Sequence, residues 1–555
     1  MNLSFAKLIV HNLISCGVRR FCLSPGSRSS PLAYAIAHEE LASSFVHFDE
    51  RGMAFHALGY AKASQEPVAI VCTSGSAVTN LFPALAEASH AGVPLIVLTA
   101  DRPPELSDCG SNQTCDQVKI FGSYVRWEID LPCPGGTIPE SYISSSIAYA
   151  VYRATQTPKG AVHINCRFRE PLFTSGTTPL CTPTHYETSH TSLPKATLER
   201  FGKYLSRAER GVIIAGSFST TRELKGIYAL AEHLHFPILP DILSGLRGSL
   251  DHSTIIPYYD AILKSHSYLK PDFILHLGDR LVSKTLLEWI KKSNSNFYTL
   301  VAAHSLRHDP NHNVTHRIEC DPTLFCEQVL PFTSHRSSWI SQWKELSDVI
   351  AQDLISFENT FTEFGLIRFL HHHIPSHYAF FLSNSLPIRH ADQFFFPKFF
   401  KGPIFGNRGL SGIDGNIATA IGIAEGAQRP TIALLGDLAA LHDLNSLAQV
   451  HKTSHPVIFL IINNSGGGIF SFVTNPTKKE IFEEFWAEKH PFNFENAAKN
   501  FQLPYHHLKD FSSLAKALKE EKSCVIEITT NREETYAMHS RILETCSKSF
   551  SCTVS

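Results

Sequence analysis

At 555 residues the chain is too long for one hydrophobic core, and ~150 residues per domain predicts three or four domains. Its 49 basic and 51 acidic side chains nearly cancel, which argues against nucleic acid or an anionic membrane as a partner and leaves small-molecule chemistry. No run approaches the ~20 apolar residues that cross a bilayer; the 13 cysteines form no CxxC pair and no paired spacing, so a cytoplasmic protein without a disulfide framework or zinc site is expected.

The amino terminus, MNLSFAKLIVHNLISCGVRRF, interrupts its apolar residues with Lys7, His11, Asn12 and Ser15, and predicts an amphipathic first helix rather than a leader. Short apolar runs then recur, each bounded by Gly, Ser, Asp or Asn: RRFCLSPGS, PVAIVCTSG, PLIVLTADR, GAVHINC, GVIIAGS, FILHLGD, TIALLGD and VIFLIINN. Helical spacing fills the intervals. Continuous apolar strands alternating with helices predict α/β domains built on doubly wound parallel sheets, with ligands gathered where strands end. The Thr-, Ser- and Pro-rich stretch 173–197 reads as a connector, and a helical pattern restarts around 335–355, so three domains are expected at 1–185, 186–345 and 346–555. The histidines of LHHHIPSH (370–377) read as a polar helix end, because adjacent side chains point in different directions, unlike ligands one helical turn apart.

The last third contains LLGDLAALHDLNSLAQVHKTSHPVIFLIINNSGGGIF. One apolar strand ends in Gly436-Asp437 and a second in Asn463-Asn464 before three glycines, a spacing that suits one strand–helix–strand unit with both residues at neighbouring strand ends. A carboxylate, an amide oxygen and a main-chain carbonyl from the glycine turn would supply three hard ligands to Mg²⁺, and glycines at 466–468 let backbone approach phosphates closely. The plain alternative is two strand-end turns in which the Asp and Asn cap helices; the spacing and the triple glycine favour the cage.

GD and NN at this spacing, followed by glycines, resemble the diphosphate–metal motif of thiamine diphosphate enzymes. The stretches SPGSRSSPL (24–32), HFDERG (47–52), TSGSAVTNLFPALAEA (73–88), LTADRPPELSDCGSNQT (98–114), GNRGLSGIDG (406–415), GDLAALHDLN (436–445) and NNSGGGIFS (463–471) together look like the 2-succinyl-5-enolpyruvyl-6-hydroxy-3-cyclohexene-1-carboxylate synthase family. The match covers both outer domains in the expected order and the middle one more weakly. It implies the thiamine diphosphate-binding fold, with a pyrimidine-binding first domain and a diphosphate-binding third.

The resemblance implies thiamine diphosphate with Mg²⁺ or Mn²⁺ held by Asp437, Asn464 and the Gly466 carbonyl, beside Gly436 and Gly467. Ile413 would prop the cofactor into its bent shape, with Ile469 and Phe470 lining the same pocket; plain core packing is the alternative for these three. Glu50 would hydrogen-bond N1′ of the aminopyrimidine as the catalytic acid–base. Alternation at a strand end would send Asp49 to the opposite face, leaving it to pair with Arg51.

The implied reaction decarboxylates 2-oxoglutarate and adds the succinyl unit to isochorismate in a Stetter-like 1,4-addition, pyruvate not yet being eliminated. The organic reactants each carry two carboxylates, which calls for fixed cations, preferably arginines. Ser385, Arg389 and Arg408 match residues expected on the succinyl arm. Ser27, Arg28, Arg102 and Lys284 match residues facing isochorismate, and Asn112 and Gln113 also match substrate contacts. Lys284 is followed by Thr285, where some relatives carry a basic residue, so one isochorismate contact is expected to be missing or replaced. Because Glu50 and the metal ligands lie on different domains, the resemblance implies a homodimer or homotetramer with its sites between subunits. Two alternatives stand beside this one: another thiamine diphosphate-dependent 2-oxo-acid decarboxylase or carboligase, disfavoured by the arginine set, and an inactive scaffold, disfavoured by the presence of Glu50, Asp437 and Asn464.

Overall fold

In the computed structural model, which describes all residues except 136–137, 175–180, 189–191, 219–223, 250–251, 267, 335, 398–399, 474–478 and 554–555, the strands form three sheets in which every pairing is parallel. The first contains β1 (Arg20–Leu23), β2 (Ser43–Val46), β3 (Val68–Cys72), β4 (Leu95–Asp101), β5 (Glu128–Leu131) and β6 (Ala161–Arg167), in the order β2-β1-β3-β4-β6-β5. The second contains β7 (Gly211–Ala215), β8 (Ile238–Pro240), β9 (Phe273–Leu277), β10 (Phe297–Ala302) and β11 (His316–Glu319), in the order β11-β10-β9-β7-β8. The third contains β12 (Ala379–Leu382), β13 (Ile404–Gly406), β14 (Thr431–Gly436), β15 (Val457–Asn463), β16 (Tyr505–Leu508) and β17 (Cys524–Thr529), in the order β13-β12-β14-β15-β17-β16.

The central strands of each sheet are buried on both faces, which is why they read as unbroken apolar runs, whereas edge strands such as β2 and β16 stay partly exposed. On β3, Ala69 and Val71 enter one core while Val68, Ile70 and Cys72 enter another. On β15, Ile458, Leu460 and Ile462 face a core that extends to Val212 and Ile214 of β7, while Val457, Phe459 and Ile461 face a separate one. The shared core continues through Trp343, Ile350 and Leu354 of the helix Ile340–Ile355, which packs on the helices Tyr259–Ser265 and Arg532–Thr553 and so ties the second sheet to the third. The histidine run closes the helix Glu363–His373, and no metal-competent cluster forms around it among the described residues.

The first and third sheets are joined by two crossing helices, Glu50–Ser64 and Asn416–Gly426. Glycines set their separation: a Cβ on Gly59 would fall 2.1 Å from the Thr419 carbonyl oxygen, and one on Gly422 2.1 Å from that of His56. Backbone therefore touches backbone, and the start of the first helix is fixed relative to the third sheet.

His163 on β6 is buried with its Nε2 2.7 Å from Thr99 Oγ1 on β4, and burial pushes its pKa down to about 4, with Asp130 opposing. The unfolded chain, with a histidine near 6.5, binds a proton that the folded protein refuses, so stability rises with pH between about 4 and 6.5 and levels off outside that window. Urea unfolding of His163→Asn should show a lower stability at pH 7 but a loss on acidification smaller than wild type by about 3 kcal/mol across that window. Parallel pH profiles for the two proteins would refute this.

Candidate active site

The C-terminal ends of four adjacent strands, in the order β13-β12-β14-β15, carry every candidate residue of the last third. Arg408 and Ile413 follow β13, Ser385 and Arg389 follow β12, Gly436 ends β14 before Asp437, and Asn464, Gly466, Gly467, Ile469 and Phe470 follow β15. This is the edge at which open parallel sheets bind ligands, because helix amino termini and loops converge there.

Asp437 is buried, and its Oδ2 accepts the backbone N–H groups of Asn464 (3.1 Å) and Gly466 (2.9 Å) while Oδ1 accepts that of Leu438 (2.7 Å). Burial pushes its pKa up, against those bonds and His490 Nε2 at 3.3 Å. Asn464 Nδ2 donates to Glu363 Oε1 (3.0 Å), and Asn464 Oδ1 is buried with no hydrogen-bond partner. Gly466 has φ +132°, and a Cβ there would fall 2.2 Å from the Ala487 carbonyl oxygen, so only glycine makes the turn; its own carbonyl accepts the Gly468 N–H at 2.9 Å. Beside it, a Cβ on Gly436 would meet nothing within 4 Å. An orphaned buried amide oxygen next to a buried carboxylate fits a hard divalent cation and leaves open space for a diphosphate.

The first sheet presents a matching edge, in the order β2-β1-β3-β4. Glu50 follows β2, but it opens the helix Glu50–Ser64 instead of standing at a strand end. The expected Asp49–Arg51 pair is therefore corrected: Asp49 is the N-cap, its Oδ1 accepting the backbone N–H groups of Arg51 (3.0 Å) and Gly52 (3.2 Å), and the Arg51 guanidinium donates to the His442 carbonyl at 2.8 Å. The half-buried Glu50 carboxylate makes no hydrogen bond or ion pair among the described residues, and its charge adds to the burial that pushes up the Cys72 thiol at the end of β3.

The cations divide into two groups. Arg28 is buried and bonded to the Phe168 carbonyl (3.0 Å) and Glu170 (2.8 Å), beside an exposed Ser27. Lys284 opens the helix Lys284–Ser293 of the second unit, exposed and 3.7 Å from Glu288; Ser283 before it donates to the buried Asp260 carboxylate at 2.6 Å. Arg102, Arg389 and Arg408 have no carboxylate within ion-pair distance among the described residues. Arg102 donates to the carbonyl of exposed Asn112 (2.8 Å), and Gln113 donates to the Ser74 carbonyl (3.2 Å). Arg389 donates to the Ser385 carbonyl (2.7 Å), and burial followed by the charge of Arg408 lowers its pKa to about 10. Arg408 donates to Asn384 Oδ1 (2.9 Å), and burial lowers its pKa too.

Three family models match in the order of the sheets: "Thiamine pyrophosphate enzyme, N-terminal TPP binding domain" over residues 3–120, "Middle domain of thiamine pyrophosphate" over 183–382, and "Thiamine pyrophosphate enzyme, C-terminal TPP binding domain" over 391–528. A protein of Rubrobacter xylanophilus named 2-succinyl-5-enolpyruvyl-6-hydroxy-3-cyclohexene-1-carboxylate synthase is 38% identical, the match covering 98% of each chain. Proteins of the same name from Salinibacter ruber and Lysinibacillus sphaericus are 37% and 33% identical, covering 97% and 96% of this chain and 95% of each relative. The chain belongs to the 2-succinyl-5-enolpyruvyl-6-hydroxy-3-cyclohexene-1-carboxylate synthase family. It is a thiamine diphosphate-dependent transferase of menaquinone biosynthesis, and no described helix is long and apolar enough to cross a membrane.

Within this synthase fold two further sets of polar side chains escaped sequence reasoning. Glu363 is wholly buried at the first turn of its helix, Oε1 accepting from Asn464 Nδ2 and Thr530 Oγ1 (3.2 Å), Oε2 lying 3.4 Å from His390 Nδ1. Burial raises its pKa and lowers that of His390 to about 4. Nothing in TFTEFGLI marks that acid beyond a favourable charge at a helix start. The second set, Asp279 with His304 and His308, has the make-up of a metal site. However, Leu306 N–H donates to His304 Nδ1, so Nε2 carries the proton and donates to Asp279 rather than offering a lone pair to a metal.

Proposed function

We propose that the chain decarboxylates 2-oxoglutarate and adds the succinyl unit to isochorismate, giving 2-succinyl-5-enolpyruvyl-6-hydroxy-3-cyclohexene-1-carboxylate. Bound thiamine diphosphate would supply a carbon nucleophile for the keto carbon of 2-oxoglutarate and an electron sink for the bond to the departing CO₂. Asp437, Asn464 and the Gly466 carbonyl would hold Mg²⁺ or Mn²⁺ on the diphosphate, with Gly436 and Gly467 beside it and Ile413, Ile469 and Phe470 against the rings. Glu50 would share a proton with N1′ of the pyrimidine.

The observation that carries the substrate class is the pair Arg389 and Arg408, half-buried side by side without a carboxylate partner at the same sheet edge as Asp437. The charge of Arg408 adds to the burial that lowers the Arg389 pKa, and a carboxylate of a dicarboxylate substrate would stabilise that cation. Ser385 would join them on the succinyl arm. Ser27, Arg28, Arg102, Asn112 and Gln113 at the first sheet would meet isochorismate; Lys284 would have to leave Glu288 to do so. Pyruvate offers too few charges for these partners.

The units 1–185, 186–345 and 346–555 each enclose one sheet. Within one chain Arg51 touches the last residue of the helix Asp437–His442, so a helix of ~8 Å separates the start of the Glu50 helix from the metal set. A second copy would complete the site, as the family resemblance implies, in a homodimer or a dimer of dimers. Phe48, 62% exposed, and Leu410, 50% exposed, flank the two edges and favour burial in such an assembly. The described cysteines are all free thiols, which agrees with a cytoplasmic setting.

Purified protein with Mg²⁺ and thiamine diphosphate should release CO₂ from 2-oxoglutarate and form the cyclohexene adduct when isochorismate is added, with pyruvate turned over at least ~100-fold less efficiently. Cofactor binding without adduct, or a preference for pyruvate, would overturn the proposal.

A further inference from the structure

We infer that Glu363 is a positioning residue that fixes which end of the Asn464 amide faces the metal, an inference that rests on Asn464 being a metal ligand. An asparagine amide can turn over, exchanging an acceptor oxygen for an NH₂ that repels a cation. Here Glu363 Oε1 receives both Asn464 Nδ2 (3.0 Å) and Thr530 Oγ1 (3.2 Å). A carboxylate oxygen that already takes a hydroxyl donor presents only lone pairs to the amide, so the NH₂ must face it. Asn464 Oδ1 is thereby turned the other way, where it is buried without a protein partner. The other carboxylate oxygen, Oε2, lies 3.4 Å from His390 Nδ1 without a hydrogen bond among the described residues and takes no part in holding the amide.

The burial of Glu363 gives a second line of support. Its relative exposure is 0%, and a buried carboxylate costs several kcal/mol unless its hydrogen bonds are made. One of its oxygens is spent on the amide of a residue 101 positions away, on a different element, at the end of β15. Packing alone would be served as well by an apolar side chain in this core, whereas orientation of the amide requires an acceptor.

The test removes the acceptor in one background and supplies a donor in the other. Free Mn²⁺ is counted by its electron paramagnetic resonance signal as it is titrated into protein with thiamine diphosphate, and folding is followed separately by circular dichroism. Glu363→Met, which fills the space without an acceptor, should weaken Mn²⁺ binding by about 10–100-fold, as loss of an outer-shell partner does, whereas Glu363→Gln, which can keep its carbonyl toward Asn464 and Thr530 and turn its NH₂ to His390 Nδ1, should stay within a few-fold of wild type. In an Asn464→Asp background Glu363→Gln should strengthen binding, since it removes a like charge and can turn its NH₂ to the new carboxylate, and the double variant should bind Mn²⁺ more tightly than Asn464→Asp alone. This second comparison stands even where the single Glu363 variant does not fold. Equal Mn²⁺ affinity in wild type and Glu363→Met, or a double variant that binds no more tightly than Asn464→Asp alone, would overturn the inference. A wild-type protein that takes up thiamine diphosphate without Mn²⁺ would instead refute the ligand set itself.

Discussion

Glu50→Gln is expected to leave thiamine diphosphate affinity within about threefold of wild type and to lower kcat by about 10²–10⁴-fold, the range for loss of a general acid–base. Glutamine matches the shape of glutamate and can still hydrogen-bond a ring nitrogen, but it cannot exchange a proton with it. The helix itself should persist, because its cap is Asp49 and its seat is the glycine crossing with Asn416–Gly426. Exchange of the cofactor C2 proton, followed by quenched-flow NMR, reads the step directly and should slow in parallel with kcat. The neighbour provides the contrast: Asp49→Ala removes two N-cap hydrogen bonds and should cost about 1 kcal/mol of stability while leaving C2 exchange on the folded protein within a few-fold of wild type. Undiminished exchange in Glu50→Gln would show that a different group holds the N1′ proton.

The contrast between Asp49 and Glu50 also marks where sequence reasoning succeeds and where it stops. Sheets were legible because strands buried on both faces must be apolar throughout, and the GD and NN ends of β14 and β15 followed from one strand–helix–strand length. The sense of HFDERG was not. An Asp directly before a helix start is a cap signal, yet the preceding apolar residues invited strand periodicity, and a period of two sends neighbours to opposite faces where a capped helix does not. Long-range partners were invisible for a different reason. Glu170 beside Arg28 and Glu363 behind Asn464 lie 142 and 101 positions from their partners, and no local pattern records such a meeting. Lys284 reads like the arginines in a motif, but a first-turn position with Glu288 one turn on gives its ammonium an exposed partner of its own.

Asp437→Asn should weaken Mg²⁺ and thiamine diphosphate binding beyond the 10–100-fold typical of an outer-shell partner, because it removes the negative charge of the proposed ligand set. Asparagine retains an oxygen for one or two of the backbone N–H groups that Asp437 now accepts from Leu438, Asn464 and Gly466, so the turn should keep its shape and the loss should be electrostatic. Isothermal titration with Mg²⁺ at saturating cofactor measures it; wild-type affinity would move the metal elsewhere. Combined with Glu50→Gln, the same substitution tests assembly. If each site takes its acid from one protomer and its metal from the partner, a mixed dimer of the two single variants contains one doubly altered site and one intact site. Random mixing should then restore about a quarter of wild-type turnover, and the purified mixed dimer about half, from two nearly inactive proteins. If both groups of a site came from one chain, every site in the mixture would carry one lesion and activity would stay at the level of the parents. Coexpression with two affinity tags, purification of the mixed species and an assay with 2-oxoglutarate and isochorismate decide between these.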